Sequence, residues 1–370
     1  RQRQMCIRDS NDPGPHHSVF RCACLSVHAS RYPDLQQSTQ TKRERIMADL
    51  WLQFVLMIDA TLRVATPLIL CAMAGLFSER SGIIDISLEG KMLMSAFAAA
   101  SMAALTGSPL LGLAGGILVS VVLSLIHGFA CITHKGNQVI SGLAINILAS
   151  GLTVTLGIAL FAQGGQTPFL NKSERFTDIV LPFAEQAEHV PVLGTIYKEI
   201  ISGHNLLVWV ALFSVIVTGY VVFRTTFGLR LRAVGEKPEA VDSAGVSVSG
   251  LRFQAVIIAG VLCGIAGTYL STAHGAGFIR EMAAGKGYIA LAALIFGKWR
   301  PVPALLACLM FGFMEALAAR LQGVEIPVIG YISTDLILVL PYLLTVILLA
   351  GFIGKASPPR SIGVPYIKER

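Results

Sequence analysis

Charged residues are scarce in this sequence. Asp, Glu, Lys and Arg make up 14% of its 370 residues, whereas the hydrophobic set AVILMFWYC makes up 54%. A soluble domain of this length needs more charge to cover its surface. The composition therefore excludes an ordinary soluble protein and predicts an integral membrane protein. The 36 glycines agree with this prediction, because small residues let membrane helices approach closely.

The sequence also lacks the motifs of nucleotide-driven and hydrolytic enzymes. No G-x-x-x-x-G-K-[ST] phosphate-binding loop occurs, and neither G-x-S-x-G nor H-E-x-x-H is present. The sequence shows no motif that combines a catalytic nucleophile with a base, which disfavours an intramembrane enzyme. We therefore expect a protein that is not an enzyme. Any ATPase that drives it must be another chain.

Clustered metal ligands are missing as well. The seven cysteines are scattered, and Cys22 and Cys24 are too close together for ordinary zinc pairing. His127, His134 and His274 each stand alone. We therefore expect no metal site and no cofactor.

The net charge of +7 does not indicate a nucleic-acid partner. Residues 1–46 carry eight Lys or Arg against four Asp or Glu, so they supply much of the surplus. The other basic residues cluster in short connections between apolar segments, as in membrane proteins with basic cytoplasmic loops. Membrane lipid, and no nucleic acid, is the predicted environment.

Residues 1–46 differ in composition from the rest of the chain. They contain no apolar stretch long enough for a signal peptide. The opening Arg1–Ser10 resembles translated sequencing-adaptor sequence, which favours an assembly artefact; a genuine disordered tail is the alternative. We therefore predict a non-native or disordered extension over 1–46 and a transmembrane domain over 47–370, with Met47 as the start.

Nine apolar segments follow Met47. A helix needs about 20 residues to cross the hydrocarbon core. The seventh segment is too short, and glycines bracket it, so we expect a broken or re-entrant helix there. The predicted fold class is all-α, a polytopic transmembrane helix bundle of about 8–9 spans. The segments are Leu52–Phe77, Ile83–Leu105, Leu110–Ile132, Val139–Phe161, Leu206–Phe223, Phe253–Thr272, Gly287–Phe296, Val302–Leu321 and Ile332–Phe352.

Basic residues in the connections predict the orientation. The connection 224–252 holds five Lys or Arg, and Lys298, Arg300 and the C-terminal tail add more. The connection 322–331 has none, and 162–205 has three against five acids. The first group is predicted to be cytoplasmic and the second external.

Ionisable residues inside apolar segments need a physical reason. Asp59 and Arg63 stand four apart, in the favourable order for an intrahelical ion pair. Asp85 and Glu89 also stand four apart, where two acids on one helix face could bind a cation or line a polar lumen. Asp85 as a helix N-cap is the alternative. Glu315 has no obvious partner in its local sequence.

Polar side chains also gather at the start of the fourth segment, at Asn137, Gln138, Ser141 and Asn146. Such groups join helices more often than they touch a ligand. Our hypothesis is that the translocation pathway is approached by Asp85, Glu89, Asn146 and Gln138.

The connection 224–252 is too polar to lie in lipid. Pro238 followed by Glu239 is typical of a helix start, and Gly245 of a helix end. This predicts a short cytoplasmic helix over 238–244, which by shape is a docking element; an ordinary loop helix is the alternative. The residues assigned to this ATPase-coupling element are Arg232, Gly235, Glu236, Pro238, Glu239, Ala240 and Gly245, with Gly235 and Gly245 allowing tight turns at its ends.

Three motifs in order resemble those of a known family. Glu79–Gly90 is similar to E-R-x-G-x-x-N-I-G-L-E-G, and Gly228–Gly245 to G-L-R-L-R-A-V-G-E-N-P-x-A-A-D-x-A-G. Gly285–Pro301 is similar to G-x-G-[FY]-I-A-L-A-A-x-I-F-G-x-W-R-P, and Ile362–Tyr366 to a closing L-G-V-P-Y. The chain thus resembles the permease subunits of bacterial ATP-binding cassette (ABC) importers for simple sugars and nucleosides, particularly the purine-nucleoside branch.

The resemblance covers Met47–Arg370. It departs from the family pattern at Asp85, Ser87 and Lys237, which replace Asn, Gly and Asn. It implies a multi-pass protein of the bacterial inner membrane, working as a dimer that often contains two different permease chains. Two ATPase subunits lie below such a dimer, and a periplasmic or lipoprotein solute-binding protein lies outside.

Two functions from different classes remain open. The first is a permease subunit of an ABC importer that moves a nucleoside or simple sugar. The second is an ion-coupled secondary transporter of a small polar solute, with Asp85 and Glu89 as its cation site. Dependence of uptake on an ATPase separates them.

Overall fold

A computed structural model describes residues 32–179, 193–322, 325–326, 330–331, 339, 343 and 357–368, with side chains from Met47 onward except at 48, 193, 201, 325–326 and 330–331. The chain divides into two compact units, Arg1–Trp51 and Leu52–Arg370. All contacts given below lie within the second unit. The division predicted at Met47 stays a prediction.

The described residues are mainly helical, with two short antiparallel strand pairs. The helices are α1 (Tyr32–Arg80), α2 (Leu88–Thr106), α3 (Pro109–Gly128), α4 (Gln138–Phe161), α5 (Leu193–Ile196), α6 (Leu206–Arg224), α7 (Thr226–Glu236), α8 (Pro238–Ser243), α9 (Val248–Tyr269), α10 (Lys286–Phe296) and α11 (Pro301–Leu321). Helices α3, α5 and α9 continue into π-helical turns at Phe129–Thr133, Tyr197–Ile201 and Leu270–His274, and a 3₁₀ turn spans Lys172–Glu174. Strand β1 (Asp178–Ile179) pairs with β2 (His204–Asn205), and β3 (Glu325–Ile326) with β4 (Gly330–Tyr331).

Six helical stretches of the described residues are long and apolar enough to cross a membrane. They are Asp49–Arg80, Pro109–Thr133, Gln138–Phe161, Leu206–Arg224, Val248–His274 and Pro301–Leu321. The predicted span Ile83–Leu105 corresponds to α2, whose first turn carries Glu89 and Lys91 and is therefore less apolar. The last predicted span, Ile332–Phe352, lies almost wholly outside the described residues. The all-α class is confirmed, whereas the count of 8–9 spans is not.

Helix α2 lies at the centre of the bundle and packs against α3, α4 and α9. Small residues make this packing close. A Cβ atom at Gly267 would lie 1.9 Å from Ser95 Oγ, and one at Gly264 would lie 2.6 Å from Ile117 Cα. These glycines therefore let α9 approach both α2 and α3 more closely than any larger residue would allow.

The connections predicted to be cytoplasmic meet at one end of the bundle. The Arg80 side chain donates to the Trp299 carbonyl oxygen (2.8 Å from Nη2), which joins the end of α1 to the connection after α10. The Ser361 amide donates to the Gly235 carbonyl oxygen (2.9 Å), which joins the C-terminal tail to α7. Three regions with basic residues thus share one end, in agreement with the predicted orientation.

The opposite end contains the connection predicted to be external. The Asp59–Arg63 ion pair predicted within α1 is confirmed, with Arg63 Nε 3.0 Å from Asp59 Oδ1. Arg63 also lies 3.5 Å from the Asp178 carboxylate and donates to the Gly203 carbonyl oxygen (2.8 Å). This arginine therefore anchors the 162–205 connection to the bundle as well as neutralising Asp59.

Candidate functional site

The short predicted segment is a helix that begins inside the bundle. Helix α10 has 11 residues, which gives a length of about 16 Å against about 30 Å for a hydrocarbon core. The irregular stretch 275–285 precedes it, with left-handed backbone at Glu281, Ala284 and Gly285 (φ 55°, 49° and 81°). A broken helix of this kind places its N-terminal amides inside the protein, where they can face a ligand or a carboxylate.

Helix α10 ends at Phe296, the residue at which the predicted segment Gly287–Phe296 ends. Gly297 follows as the C-cap residue and has ordinary right-handed backbone with φ −71°. The two residues that follow, Lys298 and Trp299, carry the left-handed conformation instead (φ 51° and 53°). The Arg80 hydrogen bond to the Trp299 carbonyl oxygen holds this turn from outside.

Glu89 caps the N-terminus of α10. Its two carboxylate oxygens accept hydrogen bonds from the amides of Gly285 (2.8 Å) and Gly287 (2.6 Å). Glu89 itself lies in the first turn of α2. A carboxylate is favoured at a helix N-terminus, and the Glu89 carboxylate lies at the N-termini of both α2 and α10. A Cβ atom at Gly287 would lie 2.6 Å from the Glu89 amide nitrogen, so only glycine fits there.

Asn146 joins three elements beside Glu89. Its side-chain nitrogen donates to the Ile86 carbonyl oxygen (3.1 Å) and to the Tyr288 hydroxyl (2.8 Å). Its side-chain oxygen accepts from the Gly90 amide (2.8 Å). Asn146 is half-buried and Tyr288 is exposed, so this group of polar atoms borders open space at the start of α10.

Further polar pairs line the same break. Ser150, one turn along α4 from Asn146, donates to Glu281 in the irregular stretch. Lys286, the first residue of α10, pairs with Glu315 of α11. The partner that the local sequence did not reveal for Glu315 is therefore on another helix. The break is thus surrounded by hydroxyl, amide and charged groups from α2, α4, α10 and α11.

Asp85 is not part of this open region. Helix α2 begins at Leu88 and has Ser87 as its N-cap residue, so the prediction that Asp85 and Glu89 share one helix face is wrong. The Asp85 carboxylate lies 2.9 and 2.7 Å from Lys91 Nζ, and both side chains are 0% exposed. The Ser87 hydroxyl donates to the same carboxylate (2.5 Å). The two acids therefore have separate protein partners.

Gln138 and the neighbouring Asn137 stabilise the segments next to the break. Gln138 accepts a hydrogen bond from the Ile84 amide (2.7 Å) and is buried. Asn137 caps α4 by accepting from the Val139 and Ile140 amides (3.0 and 3.1 Å). These side chains fix the start of α4 and the stretch that leads into α2.

The predicted short helix has its counterpart in α8, Pro238–Ser243, with Pro238 in the first position. Pro238 and Val241 are buried, whereas Glu239 and Ala240 face outward. Gly245 follows with left-handed backbone, φ 78°. The helix thus presents a small, acidic surface while its apolar side packs on the bundle.

Helix α7 sits tightly against the end of α1. Gly235 lies inside α7, so the prediction of a tight turn there is wrong. A Cβ atom at Gly235 would lie 2.2 Å from the Arg80 carbonyl oxygen. The Arg232 guanidinium lies 5.1 Å from the centre of the Phe223 ring, and Glu236 is exposed. Close helix contact, not backbone freedom, explains the glycine.

Arg252 is a buried arginine at this end of α9. It is 1% exposed and donates from Nε to the Ser81 carbonyl oxygen (3.2 Å) and from Nη1 to the Val364 carbonyl oxygen (3.4 Å). The sequence predicts Arg252 only as one of the basic residues of the connection 224–252. Its contacts join α9, the stretch after α1 and the C-terminal tail.

The closing sequence Ile362–Tyr366 and the residue before it complete this junction. The Ser361 hydroxyl donates to the Gly235 carbonyl oxygen (2.7 Å), and the Gly363 amide donates to the Gly82 carbonyl oxygen (3.0 Å). The tail therefore binds α7 to the stretch 81–87, which contains Asp85 and leads directly into α2.

Comparison with known proteins gives consistent matches. The family described as branched-chain amino acid transport system / permease component matches residues 57–349. The guanosine ABC transporter permease protein NupQ of Bacillus subtilis is 37% identical over 321 residues, which cover 85% of this chain and 97% of that protein. The nucleoside ABC transporter permease protein NupC of Lactococcus lactis is 37% identical over 312 residues, covering 83% and 95%. TsgC13 of Haloferax volcanii, provisionally named a glucose ABC transporter permease protein, is 35% identical over 271 residues, covering 73% and 79%.

Proposed function

The chain belongs to this family of permease components, and from that premise we propose that it is the multi-pass membrane subunit of an ABC importer for nucleosides. The observation that carries the proposal is the 37% identity to NupQ and NupC along nearly their whole length. Both of those proteins are named for nucleosides or guanosine. A simple sugar is the second candidate substrate, favoured by the name of TsgC13.

An ion-coupled secondary transporter is not favoured. That function would use Asp85 and Glu89 together as a cation site. The Asp85 carboxylate is instead neutralised by Lys91, and the Glu89 carboxylate accepts two backbone amides. These partners leave no shared pair of carboxylates for a cation.

The proposed pathway passes the break before α10. Glu89 and Asn146 border it, together with the Tyr288 hydroxyl. Polar groups inside an apolar bundle generally face its interior or a wet cavity. A neutral polar solute needs such groups to replace its water on the way through. Asp85 and Gln138 are buried, so in this proposal they stabilise the segments that line the pathway and do not contact the solute.

A second permease chain would close the pathway. Much of α4 is apolar and exposed, including Ile147 next to Asn146 at 75% exposure. A span with few protein contacts in one subunit faces lipid or another helix. The resemblance implies a dimer, so we place the second permease, identical or different, on the side of α4 and leave the remaining apolar surface to lipid.

The ATPase would dock on α8. Glu239 and Ala240 form its outward surface, with Glu236 beside them. Motion of α8 and α7 would reach the pathway by contact, because Gly235 touches α1 and the tail binds α7 to the stretch 81–87. Arg252 joins the same stretch to α9. A solute-binding protein would deliver the nucleoside at the opposite end.

Uptake by the assembled transporter tests this function. Proteoliposomes would contain this chain, its second permease and its ATPase, with the binding protein added outside, and would be supplied with radiolabelled guanosine. Asn146→Leu removes three hydrogen bonds at the break, and we expect uptake to fall about tenfold or more at unchanged membrane levels. Ile216→Leu, on the exposed face of α6 that is left to lipid, should keep normal uptake.

Two results would count against the proposal. Uptake of glucose or ribose without uptake of guanosine by the unaltered transporter would make the sugar the substrate. Normal guanosine uptake by the Asn146 variant would remove that residue from the pathway.

A further inference from the structure

Hydrogen bonds join two connections at the predicted external end. The Thr167 amide donates to the Phe278 carbonyl oxygen (3.1 Å), and the Phe278 amide donates to the Thr167 hydroxyl (2.9 Å). The Leu170 amide donates to the Ala276 carbonyl oxygen (2.9 Å). The stretch after α4 is thereby fixed to the stretch that follows α9 and runs into the break.

A cavity of about 410 Å³ lies between these stretches. We call it the outer vestibule; residues 163, 166–169, 275–279 and 282 line it. The volume falls within the range of about 300–1,000 Å³ that small-molecule pockets occupy. The lining residue Phe278 is buried and packs edge-on against Phe97 of α2, with 5.3 Å between the ring centres. This contact joins the lining of the vestibule to α2.

The chemistry of the outer vestibule is neutral. None of the described residues that line it carries a charge. Phe169 is 90% exposed, an unusual state for an aromatic side chain with a full ring to bury. The carboxamides of Gln163 and Gln166 are exposed, and each can both donate and accept hydrogen bonds. Met282 adds a polarizable thioether.

These features fit a flat, uncharged heteroaromatic ring. We propose that the outer vestibule binds the base of the incoming nucleoside, with Phe169 stacking on the ring and Gln163 and Gln166 hydrogen-bonding its edge. The inference rests on the proposed nucleoside transport. Aromatic side chains can stack on any nucleobase, because every base has a π-face. Phosphate or another anion finds no positive partner in this lining.

The position of the vestibule suits an entry site. Met282 lines the vestibule, and the neighbouring Glu281 accepts a hydrogen bond from the Ser150 hydroxyl at the break. Asn146 lies one turn before Ser150 in α4, and its side chain donates a hydrogen bond to the Tyr288 hydroxyl. A base released from the vestibule would therefore meet the polar groups of the proposed pathway next.

Photo-labelling tests the assignment directly. The complete transporter in lipid nanodiscs would be irradiated with radiolabelled 8-azidoguanosine, and labelled peptides would be mapped. We expect labelling within 163–169 or 275–282 that excess guanosine or free guanine suppresses and that ribose does not. Phe169→Ala should reduce the labelling about fivefold or more, at the lower end of what base–aromatic stacking contributes. Phe213→Ala, an exposed phenylalanine of α6, should leave it unchanged.

Other outcomes would overturn the assignment. Labelling confined to other peptides, or unaffected by Phe169→Ala, places the base elsewhere. Competition by ribose and not by guanine makes the vestibule a sugar site. If Phe169→Ala keeps the labelling but loses capture of the binding protein, Phe169 docks that protein instead. ATP-dependent guanosine uptake by the unaltered transporter is measured alongside, so failure of the vestibule is distinguishable from failure of the transport function.

Discussion

The buried pair of Asp85 and Lys91 allows a quantitative prediction. Both side chains are 0% exposed, and Lys91 Nζ lies within 2.9 Å of both carboxylate oxygens. Lys91→Met removes the positive charge and leaves the carboxylate buried, with the Ser87 hydroxyl as its one remaining hydrogen-bond donor among the described residues. Breaking one partner of a buried ion pair costs about 3–5 kcal/mol. We therefore expect the free energy of unfolding to fall by about that amount.

A double variant separates the lost pair from lost packing. Asp85→Asn combined with Lys91→Met removes both charges and keeps a side chain that can bond Ser87. Because replacing a whole buried pair is often nearly neutral, the double variant should recover most of the stability lost by the single one. Reversible unfolding in mixed SDS and detergent micelles measures all the variants. An unaltered free energy of unfolding for Lys91→Met, or a double variant less stable than Lys91→Met, would contradict this prediction.

Three further predictions concern coupling, packing and the chain start. Ala240→Arg should uncouple ATP hydrolysis from guanosine uptake while insertion is preserved, and Ser249→Arg, also exposed but outside α8, should not; equal loss in both would remove the docking role of α8. Gly235→Ala should lower thermal stability in detergent, because its Cβ would lie 2.2 Å from a carbonyl oxygen, whereas Gly151→Ala meets nothing within 4 Å and should be tolerated. Deletion of residues 1–46 should preserve membrane insertion and uptake, and failure to insert would show that this extension is needed.

The long helices could be predicted because hydropathy and length are local properties. The predicted segment Val139–Phe161 differs from α4, Gln138–Phe161, by one residue at its start. The broken segment could also be predicted, since the ten residues Gly287–Phe296 are too few to cross a bilayer and Gly285 precedes them. Helix α8 followed from Pro238 in its first turn.

The partners of the polar side chains could not be predicted in the same way. Lys91 is six residues from Asp85 across an irregular stretch and a helix start, so no helical spacing relates the two. Glu89 accepts amides almost two hundred residues away, and Glu315 pairs with Lys286 of a neighbouring helix. These contacts depend on how the helices pack.

Arg252 is another residue whose hydrogen-bond partners could not be predicted from the sequence. From the sequence, Arg252 is one of the five basic residues of the connection 224–252 that predict the orientation. The structure buries it, because the carbonyl oxygens of Ser81 and Val364 accept its hydrogen bonds. A basic residue at the end of a span can therefore join elements at the cytoplasmic face as well as mark that face.

The energy source of uptake tests the central claim most directly. Proteoliposomes containing this chain, its second permease and its ATPase would be given guanosine-loaded binding protein outside, with ATP inside and no ion gradient. We expect guanosine to accumulate with ATP and not with a non-hydrolysable analogue or a hydrolysis-deficient ATPase. Accumulation driven by a proton or sodium gradient in the absence of ATP would contradict the assignment of this chain as an ABC importer permease.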